Sequence, residues 1–309
     1  MKNFLFVLIF NFQFLIFSAI SIGGPGFGRN SLLFAGVGTQ EMKFLRIVPG
    51  ARTAALGEIG TAFLNGNYSL TTNPALLSGI NRNEISFTHI EYFADVNYEF
   101  LGFAISLGHQ LKKKIGLAGN LVYLDAGKWD ERDLEGVKTG KTLSYQAGAF
   151  CLGGGIEIDK DTSFGLNGIF AYDKINKSAQ YFGATIGALY GLPLGNNKLQ
   201  VGFAAQNLGR NNSLPTTFAL GTTYEFQNLA TTISLDSILP VNENFYLNLG
   251  IEKKVKSLFL RAGLNRIGRK EMRYSIGLGL FTSTFSFDYA YVPFQDLADT
   301  HRISFTIHH

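Results

Sequence analysis

After residue 82 the chain alternates between apolar and polar positions over most of its length. Near the end of the chain, Phe287, Tyr289 and Tyr291 occupy one set of alternate positions, while Asp288 and Ala290 lie between them. Successive side chains of a β-strand point to opposite faces. This segment therefore predicts a strand with one apolar face and one small or polar face.

The same pattern recurs in about fourteen segments separated by turn residues such as Gly, Asn and Pro. The predicted strands lie near residues 84–90, 97–107, 114–124, 142–157, 163–173, 178–190, 198–207, 216–226, 228–236, 244–253, 257–265, 271–280, 283–292 and 301–307. Two longer connections are predicted at residues 125–141 and 290–300. Because the turns are short, the sequence predicts an all-β, antiparallel fold.

The polar faces of these segments favour a membrane barrel. They carry mainly Gly, Ser, Ala and Asn, with isolated charges at Asp236, Glu252, Arg261, Arg273 and Asp288 that we assign to the lumen. Tilted strands of about ten residues match the hydrocarbon thickness, and only a closed barrel satisfies their backbone groups in lipid. We therefore predict a closed antiparallel transmembrane β-barrel of about 14 strands. The alternative is a secreted β-sandwich or β-helix, whose apolar faces would pack together in a dry core.

The first 21 residues predict a secretory signal peptide. Lys2 provides a positive start, an apolar stretch follows at residues 4–17, and Ala19 and Ser21 are small residues suited to cleavage. Ile22 follows in place of the Cys that a lipoprotein needs. Together with the strand pattern, this predicts an integral protein of the cell outer membrane, with outer-membrane lipid as its surroundings.

Composition argues against several kinds of chemistry. The net charge is +4 and forms no basic block, so no nucleic-acid partner is expected. Cys151 is the single cysteine, and the histidines are scattered along the chain, so neither a metal site nor another cofactor is expected. The glycine-rich run at residues 23–28 follows no strand and does not predict a phosphate loop. No nucleophile with a partnering base is identified, and we predict that the protein is not an enzyme.

The stretch ahead of the first strand carries the most specific signal. "FLRIVPGARTAALGEIGTAFLNGNYSLTTNPALL" resembles the plug segment of FadL-like outer-membrane barrels, and more closely that of the PorV/PorQ family. The resemblance lies in Gly50-Ala51-Arg52, Gly57-Glu58, Gly60-Thr61-Ala62 and Asn73-Pro74-Ala75. It continues through most of the remaining chain, to Asp288-Tyr289-Ala290-Tyr291 and His301-Arg302-Ile303-Ser304.

The resemblance implies a fourteen-stranded barrel with its N-terminal residues folded into the lumen. The expected divisions are a signal peptide at 1–21, a plug or hatch segment at 22–81 and a transmembrane barrel at 82–309. Pro74 fixes its own φ and biases Asn73 away from helical geometry, which predicts a turn there. The residues expected to position the plug are Gly50, Arg52, Gly57, Gly60, Asn73, Pro74 and Ala75. Arg52 is hypothesised to pair with a lumen carboxylate, Glu252 or Asp288.

Two functions fit such a barrel. PorV-like members bind or anchor secreted proteins with the type IX secretion machinery, whereas FadL-like members transport hydrophobic small molecules. The lumen face is expected to carry Gly, Ser and isolated charges, with residues 27–34 as the only apolar cluster ahead of the hatch. This favours binding and anchoring over a hydrophobic ligand path. One departure from the family is the ending His308-His309, where an aromatic residue is usual, and it leaves the efficiency of membrane insertion open.

Overall fold

The computed structural model describes residues 42–63, 66–92, 96–108, 113–133, 135–174, 178–210, 213–241, 243–294 and 299–309. The predicted signal peptide and the apolar cluster at residues 27–34 lie outside the described residues. No helix within these ranges is both long enough and apolar enough to cross a membrane.

Fourteen antiparallel strands form one closed barrel in which each strand pairs with its neighbours in sequence. Closure is made by the first and last strands, paired from Glu84 with His308 to Glu91 with His301. The strands are β1 (Glu84–Glu91), β2 (Asn97–Ser106), β3 (Ile115–Arg132), β4 (Lys138–Glu157), β5 (Thr162–Lys174), β6 (Ser178–Leu194), β7 (Asn197–Gly209), β8 (Thr217–Phe226), β9 (Thr231–Pro240), β10 (Tyr246–Val255), β11 (Leu258–Ile267), β12 (Arg273–Phe281), β13 (Phe285–Val292) and β14 (Thr300–His308). The predicted closed 14-stranded barrel is confirmed, and the final strand includes His308.

The outer surface of the barrel is apolar. Ile85 and Phe87 on β1 are about half exposed, and Phe182 on β6 is 72% exposed. Side chains of this kind in contact with water would be unfavourable, whereas lipid accommodates them at no such cost. The β-sandwich alternative is wrong, because the apolar faces lie outside a closed barrel instead of packing together.

The two ends of the barrel differ. The end that carries Glu84 and His308 is called the terminal end here, and its turns are as short as residues 195–196 and 256–257. The opposite end is called the loop end. In bacterial outer-membrane barrels the short turns face the periplasm and the longer loops face outward, so the terminal end is assigned to the periplasmic side.

The β3–β4 hairpin corrects one sequence prediction. Residues 125–141 were expected to form a long connection, but strand pairing continues as far as Arg132 with Lys138. The register shifts between Asp125 and Lys128, and again between Asp130 and Arg132. Beyond the barrel wall these strands face water on both sides, so they need no apolar face and show no alternation to read. The hairpin projects from the loop end.

Residues 42–63 and 66–80, together called the inner segment here, lie in the barrel lumen. They form short helical pieces: 3₁₀ turns at Lys43–Arg46, Gly66–Tyr68 and Pro74–Gly79, with α1 at Ala51–Ala55 and α2 at Ser69–Thr72. The segment begins near the loop end, where Arg46 pairs with Glu243 at 2.5 Å. It ends near the terminal end, where the carbonyl of Ile80 accepts a hydrogen bond from Ser106 at the end of β2.

Candidate functional site

The Asn73-Pro74-Ala75 turn is fixed by one asparagine side chain. Asn73 has extended backbone (φ −146°, ψ 101°), as a residue before proline prefers, and Pro74 begins the following 3₁₀ turn. The Asn73 Oδ1 atom accepts a hydrogen bond from the Ala75 backbone N–H at 3.1 Å. Its Nδ2 donates to the carbonyls of Thr61 at 2.7 Å and Ala188 at 3.1 Å. Asn73 therefore joins its own turn to another part of the inner segment and to β6.

Glycines on the lumen face of the wall allow this close approach, and sequence reasoning missed them. A Cβ atom at any of these positions would collide with the inner segment, in most cases with its backbone: Gly116, Gly155, Gly165, Gly187, Gly202, Gly250, Gly263 and Gly277. At Gly250, for example, it would lie 2.6 Å from the Leu56 carbonyl oxygen. Their recurrence on the small-residue face was visible in the sequence, but it indicated only room in the lumen.

The predicted glycines of the inner segment serve different ends. Gly57 has a φ of +70°, which favours glycine, and it packs against the backbone of β10 and β11. At Gly60 a Cβ atom would meet the Thr72 side chain within the inner segment, and the Gly60 backbone N–H donates to Asp236 on β9. Gly50 precedes α1, and its carbonyl accepts the first helical hydrogen bond, from Ala54 at 3.0 Å.

Asp236 on β9 holds one bend of the inner segment. Its Oδ2 atom accepts hydrogen bonds from the backbone N–H groups of Gly60 and Thr61, both at 2.9 Å, and from the Thr61 hydroxyl at 2.8 Å. The residue is only 1% exposed. Burying a carboxylate is costly unless hydrogen bonds compensate for the lost water. The bend at Gly60 and Thr61 is therefore held in the one position where its donors reach the Asp236 oxygen.

A chain of ion pairs links α1 to the barrel wall at β10, β11 and β13. Arg52 contacts Glu252 through two hydrogen bonds of 2.7 and 2.9 Å. Arg261, the neighbour of Glu252 across the β10–β11 pair, donates to Glu252 at 2.7 Å and to Asp288 at 2.6 Å. Gly279 leaves room for the latter pair, since a Cβ there would lie 2.5 Å from Asp288. Of the two partners hypothesised for Arg52, the structure places Glu252 in direct contact.

An arginine side chain stays protonated in proteins, so the Arg52–Glu252 pair does not depend on titration of the guanidinium.

Two further arginines occupy other places in the lumen. Arg273 does not join the ion-pair chain, and its guanidinium lies 4.1 Å from the Phe294 ring centroid. Arg302, which we had not singled out as a site residue, is fully buried and donates to the Val48 carbonyl. It also lies 3.8 Å from the Glu58 carboxylate. The only signal for Arg302 in the sequence was its place in the motif at residues 301–304.

The lumen has a second, apolar half that the sequence reasoning did not predict. One cluster of buried side chains joins the inner segment to the inward faces of β1–β5, where we expected Gly, Ser and isolated charges. The wall contributes Ile90, Tyr98, Phe100, Ala104, Ala118, Val122, Leu124, Ala147, Ala149, Cys151, Ile169 and Ala171. Met42, Phe44, Leu70 and Leu77 pack against them. Cys151 is a buried side chain on β4.

No group of three or more His, Cys, Asp and Glu side chains within the described ranges is arranged to hold a metal ion. The inner segment is held by hydrogen bonds and ion pairs on β6–β13 and mainly by apolar packing on β2–β4. It also makes hydrogen bonds to β1 and β5, where Tyr68 pairs with Thr88 and the Leu70 carbonyl accepts from Asn167.

Comparison with known proteins gives the fold. No protein-family model and no curated protein matches the sequence. Among solved structures, the Ralstonia pickettii toluene transporter TbuX matches with a TM-score of 0.59 and 11% identity, over 90% of this chain and 98% of that one. The Pseudomonas putida toluene transporter TodX matches with a TM-score of 0.58 and 14% identity, over 84% and 96%. A Pseudomonas aeruginosa FadL homologue matches with a TM-score of 0.50 and 12% identity, over 84% and 97%.

This chain thus has a FadL-like barrel fold and is an integral outer-membrane β-barrel. The finer resemblance to the PorV/PorQ family stays a prediction. Two of these three structures are described as transporters and none as an enzyme, which is consistent with the prediction of a non-enzymatic protein.

Proposed function

We propose that the protein is an outer-membrane channel for small hydrophobic molecules, in which the inner segment acts as a plug. The observation that supports this most is the apolar half of the lumen. A pore for water-soluble solutes is lined by polar side chains. Here the inward faces of β2–β4 present mainly apolar residues from Leu124, near the loop end, to Ala104, near the terminal end.

The two halves of the lumen resist opening in different ways. Contacts on the polar side are directional, and each buried hydrogen bond broken there leaves a donor or acceptor unsatisfied. Contacts on the apolar side are non-directional, so a hydrophobic ligand can replace Met42, Phe44 or Leu70 against the wall at little cost. A hydrophobic molecule therefore has a path along β2–β4, while the hydrogen bonds of the inner segment to β1, β5 and β6–β10 stay in place.

The solved structures with this fold also favour transport. TbuX and TodX are described as toluene transporters, and another match as a monoaromatic hydrocarbon channel. By analogy of fold we propose a monoaromatic hydrocarbon as the first substrate to test, which is a weaker warrant than the lumen itself. The sequence favours a secretion-associated anchor because it predicts a lumen without an apolar face. The apolar cluster on the inward wall contradicts that premise.

Uptake of radiolabelled toluene by intact cells tests this function. Cells that produce this protein are expected to take up toluene faster than cells that produce an unrelated barrel, with no matching gain for arabinose. Val122→Thr, which places a hydroxyl on the apolar lumen face, is expected to slow uptake. Leu121→Thr, on the lipid-facing side of the same strand, is the matched control. Equal acceleration of both solutes would indicate a water-filled pore, and no acceleration of either would refute transport.

A further inference from the structure

A cavity of about 370 Å³ lies at the terminal end of the lumen, below the inner segment. Its apolar surface comes from Tyr68 and Ile80 of the inner segment and from Phe259 and Phe281 on β11 and β12. Its basic residues are Arg52, Arg82, Lys254 and Arg261. Ligand pockets in proteins commonly combine these features: a volume of about 300 Å³ or more, mostly apolar walls and a few polar groups.

Three of the cations surround a single aromatic ring. The guanidinium carbons of Arg261 and Arg52 lie 5.4 and 6.0 Å from the Phe259 ring centroid, and the Lys254 ammonium lies 5.7 Å from it. Phe281 meets the same ring edge to face at 6.4 Å between centroids. Positive charge is therefore concentrated beside two aromatic rings in a partly enclosed space.

The carboxylates of the cavity wall already have partners. Asp288 accepts from Arg261, and Glu84 accepts from the Asn67 backbone N–H and lies 3.8 Å from His308. Among the residues that the structure describes, Lys254 makes no ion pair, and Arg82 donates its hydrogen bond to a backbone carbonyl, that of Ser283. The cavity thus presents two cationic side chains whose charge no wall carboxylate neutralises.

We propose that this cavity binds a small organic anion with an aromatic body, that is, a monoaromatic carboxylate. The carboxylate would contact the Lys254 ammonium, with Arg82 at the rim, and the ring would pack against Phe259 and Phe281. The volume is large enough for one ring with a short substituent. This site adjoins the apolar half of the lumen through Tyr68 and Ile80, but its cationic residues lie outside that half, and its ligand differs in charge from the hydrocarbon proposed there.

Isothermal titration of the purified full-length protein with sodium benzoate tests the site. Saturable binding is expected, and it should weaken as sodium chloride is raised, because charge attraction is screened. Lys254→Gln should weaken it by about tenfold, the size of one contact with a charged group. The matched control is Lys253→Gln, because that neighbour points to the outer face of the same strand and should bind as the wild type does.

Three results would overturn the proposal: no saturable benzoate binding, equal binding by Lys254→Gln and the wild type, or acetate binding as tight as benzoate. Phe259→Leu provides a second variant that removes the ring without changing charge, and it should weaken benzoate more than acetate. Toluene uptake by the Lys254→Gln variant should remain that of the wild type. Failure of the anion site can therefore be distinguished from failure of the transport function.

Discussion

Replacing Asp236 with Ala is the sharpest test of how the inner segment is held. The change removes the one oxygen that accepts hydrogen bonds from Gly60 N–H, Thr61 N–H and the Thr61 hydroxyl. It leaves the strand pairing of β9 with β8 and β10 unaltered, because that pairing uses the backbone. The effect should therefore fall on the inner segment and not on the barrel.

The expected magnitude follows from the three donors left behind. An unsatisfied buried donor costs about 1–3 kcal/mol, so three donors give roughly 3–9 kcal/mol. The lower end is the better estimate here, since a neighbouring cavity of about 70 Å³ lined by Gly60, Thr61 and Asp236 can admit water. A loss of about 3 kcal/mol raises the population of the locally open state by roughly a hundredfold.

Hydrogen exchange of the purified protein measures that population directly. The amides of Gly60 and Thr61 should exchange about a hundredfold faster in Asp236→Ala, the ratio estimated above. Asp236→Asn keeps an acceptor oxygen and should show a much smaller effect. The difference in electrophoretic mobility between the folded and the heat-denatured barrel should be unchanged in both variants. If the Gly60 and Thr61 amides of Asp236→Ala exchange as slowly as those of the wild type, the anchoring role is refuted. Loss of the mobility difference would show that the barrel wall itself depends on this contact.

Three further predictions concern other anchors. Arg52→Ala should increase single-channel conductance noise, because it frees α1 from Glu252, and Arg52→Lys should increase the noise less. Unchanged conductance and heat stability in Arg52→Ala would contradict the role of this ion pair in holding α1. Gly187→Val should destabilise the seating of the inner segment by about 1–3 kcal/mol through overlap with Asn73, seen as faster proteolysis, while Gly168→Val on the outer face should not. The β4–β5 turn should loosen as pH falls below 3.8. The backbone N–H of Asp161 and the Thr162 hydroxyl lower the pKa of Asp159, and the stabilisation from these hydrogen bonds is lost when the carboxylate is protonated. The protection of the Thr162 amide, measured at pH 3 and 6 relative to the intrinsic exchange rate at each pH, would show the loosening, and Asp159→Asn should remove the difference in protection.

The barrel was predictable because lipid imposes a rule on every strand. The outer face must be apolar, so positions such as Phe287 and Ile276 recur at every second residue regardless of which strand they pair with. The turn at Asn73-Pro74 was predictable for a local reason, namely the restriction that proline places on itself and its predecessor. Neither prediction required knowledge of contacts distant in sequence.

The partner of Arg52 depended on such knowledge. Glu252 and Asp288 both lie on the lumen face, and they share Arg261 between them. Which of them meets Arg52 is decided by where α1 rests along β10–β13. That position is set by the packing of Ala55 against Gly277 and of the backbone just after α1 against Gly263. A contact between residues 200 positions apart leaves no periodic signal in the sequence.

The apolar half of the lumen was missed for a different reason. Along β2, Tyr98 and Phe100 face inward while Leu101 and Phe103 face lipid, so the strand is apolar on both faces. Alternation assigns faces only when they differ, as they do on β12, where Ser275 and Gly277 oppose Ile276 and Leu278. Conclusions about the lumen drawn from the later strands could not be extended to β1–β5.

This asymmetry bears on the proposed transport. Asp236, Glu252 and Asn73 hold the inner segment by directional bonds to β6–β10, and breaking them exposes unsatisfied groups. On β2–β4 the same segment is held mainly by apolar contacts, which a hydrophobic molecule can replace. If the proposed function is right, a hydrophobic solute lowers the cost of its own passage along β2–β4, whereas water or a sugar would have to separate apolar surfaces at full cost. On this proposal, selection between the two kinds of solute follows from the difference between the two sides of the lumen.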